Sequence, residues 1–299
     1  MKFTLTGSLG RIGKPLTKKL TDGGHSVTVI SSNPARSKQI EAMGAIPAIG
    51  TLEDADFLAS SFRGSDAVYT MVPPPNYFDH NLDLLGYYQT LGNSFAKAIK
   101  RAEVKRVVNM SSIGAHLDKG NGILLGTHHV EKILNDLPEG VAITHIRPVE
   151  IYYNLFSFVD LIKSQGIIAN NLDASDSNVW VSCKDIADCV AEELNIISRG
   201  RKVRYVASDE LKYEEVASTL GSAIGKPDLK WVRISEDEMR QGLEKAGMQP
   251  KCAKEMVEMY AAIRSGLLYE DYKLHKPESL GQVKMKDFAK EFATVYHQK

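Results

Sequence analysis

Apolar positions along the chain switch repeatedly between two spacings. Compact β-branched or apolar runs at 2–6, 26–30 and 45–49 predict strands, while positions such as Ile12, Leu16 and Leu20 share one helical face and predict a helix over 11–22. Gly23-Gly24 stops that helix, and 34–43 reads as the next one. The alternation continues with a strand at 66–72 ending on Pro73-Pro74-Pro75, a long helix within 79–102, a strand at 105–110, a helix near 124–137 and a strand at 141–147. Strands alternating with helices need crossover connections. The expected fold is therefore α/β, a Rossmann-type doubly wound parallel sheet with helices on both faces.

After Pro148 the rhythm is less regular. A strand at 178–182 and a helix at 184–197 precede a run at 203–207 that reads as the last strand of the main sheet, and the remainder is mostly helical. This predicts two parts, a Rossmann domain over 1–206 and a smaller, mainly helical domain over 207–299 on the substrate side. Ser182 with Asp185, and Ser235 with Glu238, have capping-box spacing, which gives Asp185 a structural role. Gly225, Gly247 and Gly266 mark helix ends.

Composition narrows the function classes. The chain has 299 residues, 43% of them hydrophobic and 25% charged, which are globular proportions. Lys plus Arg and Asp plus Glu both number 37, so there is no basic field to hold a nucleic acid. Cys183, Cys189 and Cys252 are too scattered for a disulfide framework and contain no Cys-x-x-Cys pair, so no metal site is expected. The N-terminal residues read as a strand rather than a signal peptide, and no apolar run is long enough to span a bilayer. The expectation is a soluble, cytoplasmic protein acting on a small molecule, with a homodimer left open.

The main chemical signal is the G-x-x-G-x-x-G formed by Gly7, Ser8, Leu9, Gly10, Arg11, Ile12 and Gly13, between the first strand and the first helix. Glycines there permit a tight turn, let the backbone approach a pyrophosphate and let the helix pack close to the strand, while helix N-terminal amides attract the anion. Such glycines can also serve packing alone, but position at the first turn of a β-α-β-α series favours a dinucleotide site. NAD-preferring sites place Asp or Glu at the end of the second strand. Here Ser31, Ser32 and Asn33 stand there, with Arg36 and Lys38 a turn later, which favours NADP(H). The plainer alternative is that 31–33 cap the helix opening at Pro34 and Arg36 is a solvated surface residue.

TGSLGRIG at the first turn, DAVYTMVPPP, VKRVVNMSSIGAH, THIRPVEIYYNLF, VSCKDIADCVAEEL and YEEVASTLGSAIGKPDLKWV together resemble the NmrA-like branch of the atypical short-chain dehydrogenase/reductases. The resemblance covers nearly the whole chain and implies an NADP-binding Rossmann domain with a C-terminal part enclosing a substrate cleft. It places Met71, Val72, Pro73 and Pro74, Ser111 and Ser112, and Pro148 to Ile151 along the nicotinamide half. Pro73 to Pro75 also read as a plain strand terminator.

Most short-chain dehydrogenases use Tyr-x-x-x-Lys, in which the phenol donates a proton and Lys lowers its pKa. Here that spacing holds His128 and Lys132, so the Tyr is absent, which argues against ordinary alcohol dehydrogenation. Lys132 is a candidate ribose or carbonyl contact, or a solvated helix charge. His128 and His129 diverge by about 100° on a helix and cannot readily share a metal; one is a candidate proton donor, and packing is the alternative. The family's usual His in this helix aligns nearer Thr127. Tyr152, Tyr153, Asn154 and Phe156 are candidates to border substrate or to be core, and Tyr152 joins His128 and Lys132 as a candidate catalytic residue. The expected function is an NADPH-dependent oxidoreductase passing hydride to a small electrophile, a quinone being the class the resemblance implies. The alternative is a non-catalytic NADP(H) sensor acting through a protein partner.

Overall fold

Six of the compact runs become strands β1 (Lys2–Leu5), β2 (Ser26–Ser31), β3 (Ile46–Ile49), β4 (Ala67–Thr70), β5 (Arg106–Met110) and β6 (Ala142–Pro148) in a computed structural model that describes residues 1–298. Three more, β7 (Glu150–Ile151), β8 (Ile167–Asn170) and β9 (Ser177–Val181), leave the main sheet before β10 (Arg201–Val206) returns to it. The seven-stranded sheet has the order β3-β2-β1-β4-β5-β6-β10, parallel throughout. The order reverses between β1 and β4, so the crevice for a ligand lies at their carboxyl ends.

Helices cover both faces because the strands are buried on both. Leu16 and Leu20 of α1 (Gly13–Asp22) and Ile40 of α2 (Ser37–Glu41) join one cluster with Phe3, Leu5 and Val29. The opposite cluster gathers α3 (Ala55–Phe62), α4 (Leu84–Arg101) and α5 (Leu125–Asn135) against Ile30, Val68 and Val107. The apolar spacing did not single out α3, whose start is fixed by a cap: Asp54 Oδ1 accepts from the amides of Asp56 and Phe57, both at 3.0 Å. Beyond β7 come α6 (Val159–Gln165) and α7 (Cys183–Asn195), the latter packed beside α1.

The smaller lobe continues with β11 (Asp209–Lys212), α8 (Tyr213–Ala223), β12 (Lys230–Arg233), α9 (Glu236–Lys245), α10 (Pro250–Arg264), α11 (Glu270–Leu274) and α12 (Met285–Gln298). Its core draws on both sides of residue 206, since Tyr152, Leu155 and Trp180 are buried together with Tyr213, Trp231, Phe288 and Phe292. Strand pairing explains this: β9 joins β7 and β11 in one small sheet, and β8 pairs with β12 in another. Two carboxylates, buried Asp185 and half-buried Asp209, tie α12 to the rest. Asp185 accepts from the amides of Gln282 and Val283, both at 3.1 Å, and Asp209 accepts from the Met285 amide at 2.6 Å. Ser182 does cap α7, but the Asp185 carboxylate faces this C-terminal segment instead of closing a reciprocal box; Ser235 and Glu238 form the full box. No helix among the described residues is long and apolar enough to cross a membrane.

Candidate functional site

The turn from β1 into α1 has an unusual backbone, with φ +86° at Gly7 and +51° at Ser8. A Cβ on Gly13 would lie 2.1 Å from the Ser8 carbonyl oxygen, and one on Gly7 would lie 2.6 Å from Met71 Cε. Those two glycines are required by the protein's own packing. Gly10 is different: it is exposed, and a Cβ there would meet only the Gly7 oxygen, at 3.4 Å. Nothing in the fold needs a missing side chain at that position, whereas an anion approaching the turn does. The start of α1 carries no side-chain cap and no acid in its first turn; the Lys14 and Leu16 amides donate to the Gly10 and Ile12 carbonyls, at 2.9 and 3.1 Å, while the Gly13 amide and the positive dipole end remain available. These residues fit a dinucleotide pyrophosphate.

The end of β2 reaches this turn directly. Arg36 Nη1 donates to Ser8 Oγ at 3.0 Å, joining the cation to the glycine-rich loop. Ser32, Asn33 and Arg36 are exposed, and no acid stands among them. Asn33 also caps the short helical turn at Pro34–Arg36, accepting from the Ala35 amide at 2.9 Å. Ser31 departs from the expected role: it is buried, and its hydroxyl is occupied by the Asn33 backbone at 3.2 and 3.3 Å. A cleft of about 630 Å³ borders the loop, with Gly10, Arg11, Lys14 and Arg36 on one side and Asp287 and Glu291 of α12 on the other. Arg11 leans toward α12, 3.2 Å from Glu291 and 4.7 Å above the Tyr153 ring centre.

Met71, Val72 and Pro73 stay partly open at the end of β4, where Tyr87 donates to the Pro73 carbonyl at 3.1 Å. The following loop is clamped to the start of α10, because Gln249 Nε2 donates to the carbonyls of His80 and Leu82, both at 3.0 Å. Pro148 is buried at the end of β6, and its carbonyl accepts from the Ile113 amide at 2.9 Å. Ser111 does not present its hydroxyl to the crevice: it is buried and donates to Glu131. Ser112, beside it, is half-buried.

Of the expected catalytic residues, His128 and Lys132 stand one turn apart on α5, while Tyr152 lies in the core of the smaller lobe. Tyr152 is 1% exposed, stacked between Trp180 and Phe288, and its hydroxyl donates to Asp209 at 2.7 Å; this corrects its placement as a reacting group to a core residue. Phe156 stacks on Phe292 in the same cluster, while Tyr153 is exposed. His128 is half-buried, with Nδ1 2.9 Å from the Ala115 carbonyl in the β5–α5 loop. Lys132 is exposed and has no hydrogen bond or ion pair among the described residues. The preceding residue of α5, Glu131, bonds Ser111 just past β5 and Arg147 at the end of β6, so Lys132 stands level with the carboxyl edge of the sheet. His129 is shifted down by burial and by its neighbours His128 and Lys132.

Near the carboxyl edge, no role was expected for Glu131, Arg147 or His116, and Glu150 entered only within the range Pro148 to Ile151. Glu131 and Arg147 form a buried two-point ion pair at 2.6 and 2.9 Å, and Arg147 also reaches Asp271 at 2.8 Å. Burial pushes the Glu131 carboxyl up, but hydrogen bonding from Arg147 with the nearby His145, Arg147 and Ser111 groups brings it below the usual range. This pair locks α5 to β6 and, through Asp271, to the smaller lobe. His116, in the β5–α5 loop, has both ring nitrogens sealed without a partner among the described residues, and burial pulls it down toward the neutral imidazole. Glu150, two residues past Pro148, is pushed up to about 7 by burial. An acid inside the otherwise apolar or aromatic run 149–153 was the available signal.

Comparison with known proteins agrees with this geometry. The chain is 24% identical over 258 residues to an NAD(P)H azoreductase of Xenophilus azovorans, covering 86% of this chain and 85% of that protein. Its fold is similar to an NADPH-dependent quinone oxidoreductase from Escherichia coli complexed with NADPH, with TM-score 0.80, 19% identity and coverage of 97% and 99% of the two chains. It is also similar to a Citrobacter sp. triphenylmethane reductase complexed with NADP(H), with TM-score 0.74, 18% identity and coverage of 97% and 99%. Residues 7–196 match the family described as NAD(P)H-binding. Glycine-rich turn, uncapped helix and strand order are thus those of a nicotinamide dinucleotide protein, and the chain belongs to the NAD(P)H-binding family.

Proposed function

We propose that this protein is an NADPH-dependent reductase that passes hydride to a small, flat electrophile, a quinone being the leading class. The observation that carries the reading is the union of Gly10, the uncapped start of α1 and Arg36 through Ser8. In this reading the amides from Ser8 to Gly13 hold the pyrophosphate, with Leu9, Arg11 and Ile12 shaping the turn. Ser32, Asn33 and Arg36 meet the ribose 2′-phosphate, Arg36 by charge-assisted hydrogen bonds. Met71, Val72, Pro73 and Pro148 border the nicotinamide, and the apolar Met71 side chain helps keep water from it.

When bound, the nicotinamide supplies the hydride. The chain supplies position, since orienting donor and acceptor removes much of the entropic barrier. The named relatives act, by their names, on azo compounds, quinones and triphenylmethane dyes. These share an extended conjugated system that accepts two electrons, and such acceptors do not need a Tyr-x-x-x-Lys pair to polarise an isolated carbonyl. No observation favours the sensor reading. Purified protein with NADPH should lose nicotinamide absorbance when a soluble quinone or azo compound is added; no acceptor-dependent loss across quinones, azo compounds, enones and aldehydes would refute the assignment.

A further inference from the structure

The cleft of about 630 Å³ beside the glycine-rich turn has two walls of different origin. One is the turn itself with Lys14 and Arg36; the other includes α12, a helix of the smaller lobe. That second wall is fixed. The amides of Gln282, Val283 and Met285, at and just before its start, are held by Asp185 and Asp209, and Phe288 and Phe292 are 7% and 0% exposed in the core. Glu291 stands on the same rigid helix and lines the cleft.

Arg11 belongs to the turn read above as the pyrophosphate seat, yet its guanidinium is engaged on the far wall. Nη1 lies 3.2 Å from Glu291 Oε1, and the guanidinium carbon is 4.7 Å from the Tyr153 ring centre. The two acids of that wall differ. Asp287 is occupied by its own segment, accepting from Lys290 Nζ at 3.1 Å and from the Lys284 amide at 3.3 Å. Glu291 has Arg11 as its one partner among the described residues. The side chains of Arg11 and Glu291 are 56% and 53% exposed, so water screens the pair and it is a weak one. A pyrophosphate carries two negative charges and offers oxygens that a planar guanidinium meets with parallel hydrogen bonds. Arg11 therefore gains by exchanging one partner for the other. The exchange needs only its own side chain to turn, since Gly13 packed on Ser8 fixes the loop as the core fixes α12.

We propose that Glu291 is an intramolecular competitor of the coenzyme pyrophosphate for Arg11, which makes α12 of the smaller lobe part of the coenzyme site. The proposal rests on the dinucleotide reading above. Binding moves the Arg11 guanidinium from the carboxylate to the phosphates, and release returns it. The carboxylate that waits for Arg11 keeps the coenzyme exchangeable, as a reductase that must shed oxidised nucleotide after each turnover requires.

The test is a double-mutant cycle on the full-length protein, with Arg11→Gln, Glu291→Gln and both together titrated calorimetrically with NADPH and with NADH. Both positions are exposed, so each variant should melt as the native protein does. Glu291→Gln should bind the two coenzymes at least about threefold more tightly, and by the same factor, since both carry the pyrophosphate; nucleotide release in stopped flow should slow to match. Arg11→Gln should bind both at least about tenfold more weakly. In the double variant the gain from Glu291→Gln should vanish. A gain of equal size with and without Arg11 would mark plain repulsion between Glu291 and the nucleotide and overturn the exchange. An unchanged affinity in Glu291→Gln would overturn it too, as would a gain seen with NADPH alone, which assigns the pair to the 2′-phosphate. Native protein that gives no heat with either coenzyme overturns the dinucleotide reading itself.

Discussion

Replacing Glu150 with Gln should flatten the loss of stability that the native protein suffers on its way from acid to mildly alkaline pH. In the unfolded chain this carboxyl titrates at its ordinary value of 4.5, and in the fold burial raises it to about 7. The folded state therefore keeps the proton longer than the unfolded state. Its stabilising effect is complete below the unfolded value and disappears as pH climbs through the folded one. At 1.36 kcal/mol for each tenfold step in proton affinity, the gap is worth roughly 3 kcal/mol, most of it lost between pH 5 and 7. Gln carries no ionisable group and keeps an acceptor oxygen for Asn178 Nδ2, so it removes this one contribution. Urea unfolding of both proteins at half-unit steps from pH 5 to 8.5 would measure the difference. The stability of the native protein relative to Glu150→Gln should fall by roughly 3 kcal/mol across that range. Parallel curves would show that Glu150 titrates alike in both states and refute the reasoning.

The glycine-rich turn separates packing from ligand approach. Gly13→Ala forces a Cβ to within 2.1 Å of a backbone oxygen and should lower stability by roughly 3 kcal/mol or more, read as an earlier melt. Gly10→Ala has open space, so its melting temperature should stay within a few degrees of native while NADPH affinity drops at least about tenfold; retained affinity would contradict the placement of the pyrophosphate. Glu131→Gln leaves the buried Arg147 guanidinium with Asp271 as its remaining acid and should cost about 3–5 kcal/mol in chemical denaturation, far more than an exposed pair such as Lys18–Asp22.

The alternation up to Pro148 was legible, α3 apart, because the strands there are local runs of β-branched or apolar residues and the other helices carry their own apolar stripes. The glycine turn was legible for the same reason: its meaning depends on a strand just before and a helix just after. The smaller lobe was not. Strand β8 finds its partner β12 about sixty residues later, and β7 is two residues long, so neither leaves a periodic mark. Tyr152 shows the limit of reading residue type. An aromatic ring after a central strand suits a substrate wall, but Asp209 and the flanking Trp180 and Phe288 make this one core, and those partners lie 28 or more residues away. Ser111 was placed by its position at a strand end, while the orienting acid, Glu131, comes from the following helix. Glu150 stood inside a quoted motif, yet the burial and the Asn178 and Tyr213 partners that set its titration come only with folding.

Calorimetric titration of the purified protein with NADPH and with NADH, repeated on Arg36→Ala, tests the dinucleotide assignment most directly. Native protein should bind NADPH at least about tenfold more tightly than NADH, a difference of ~1.4 kcal/mol or more, and Arg36→Ala should close most of that gap. No heat with either nucleotide, or equal affinity unaffected by Arg36→Ala, would contradict it.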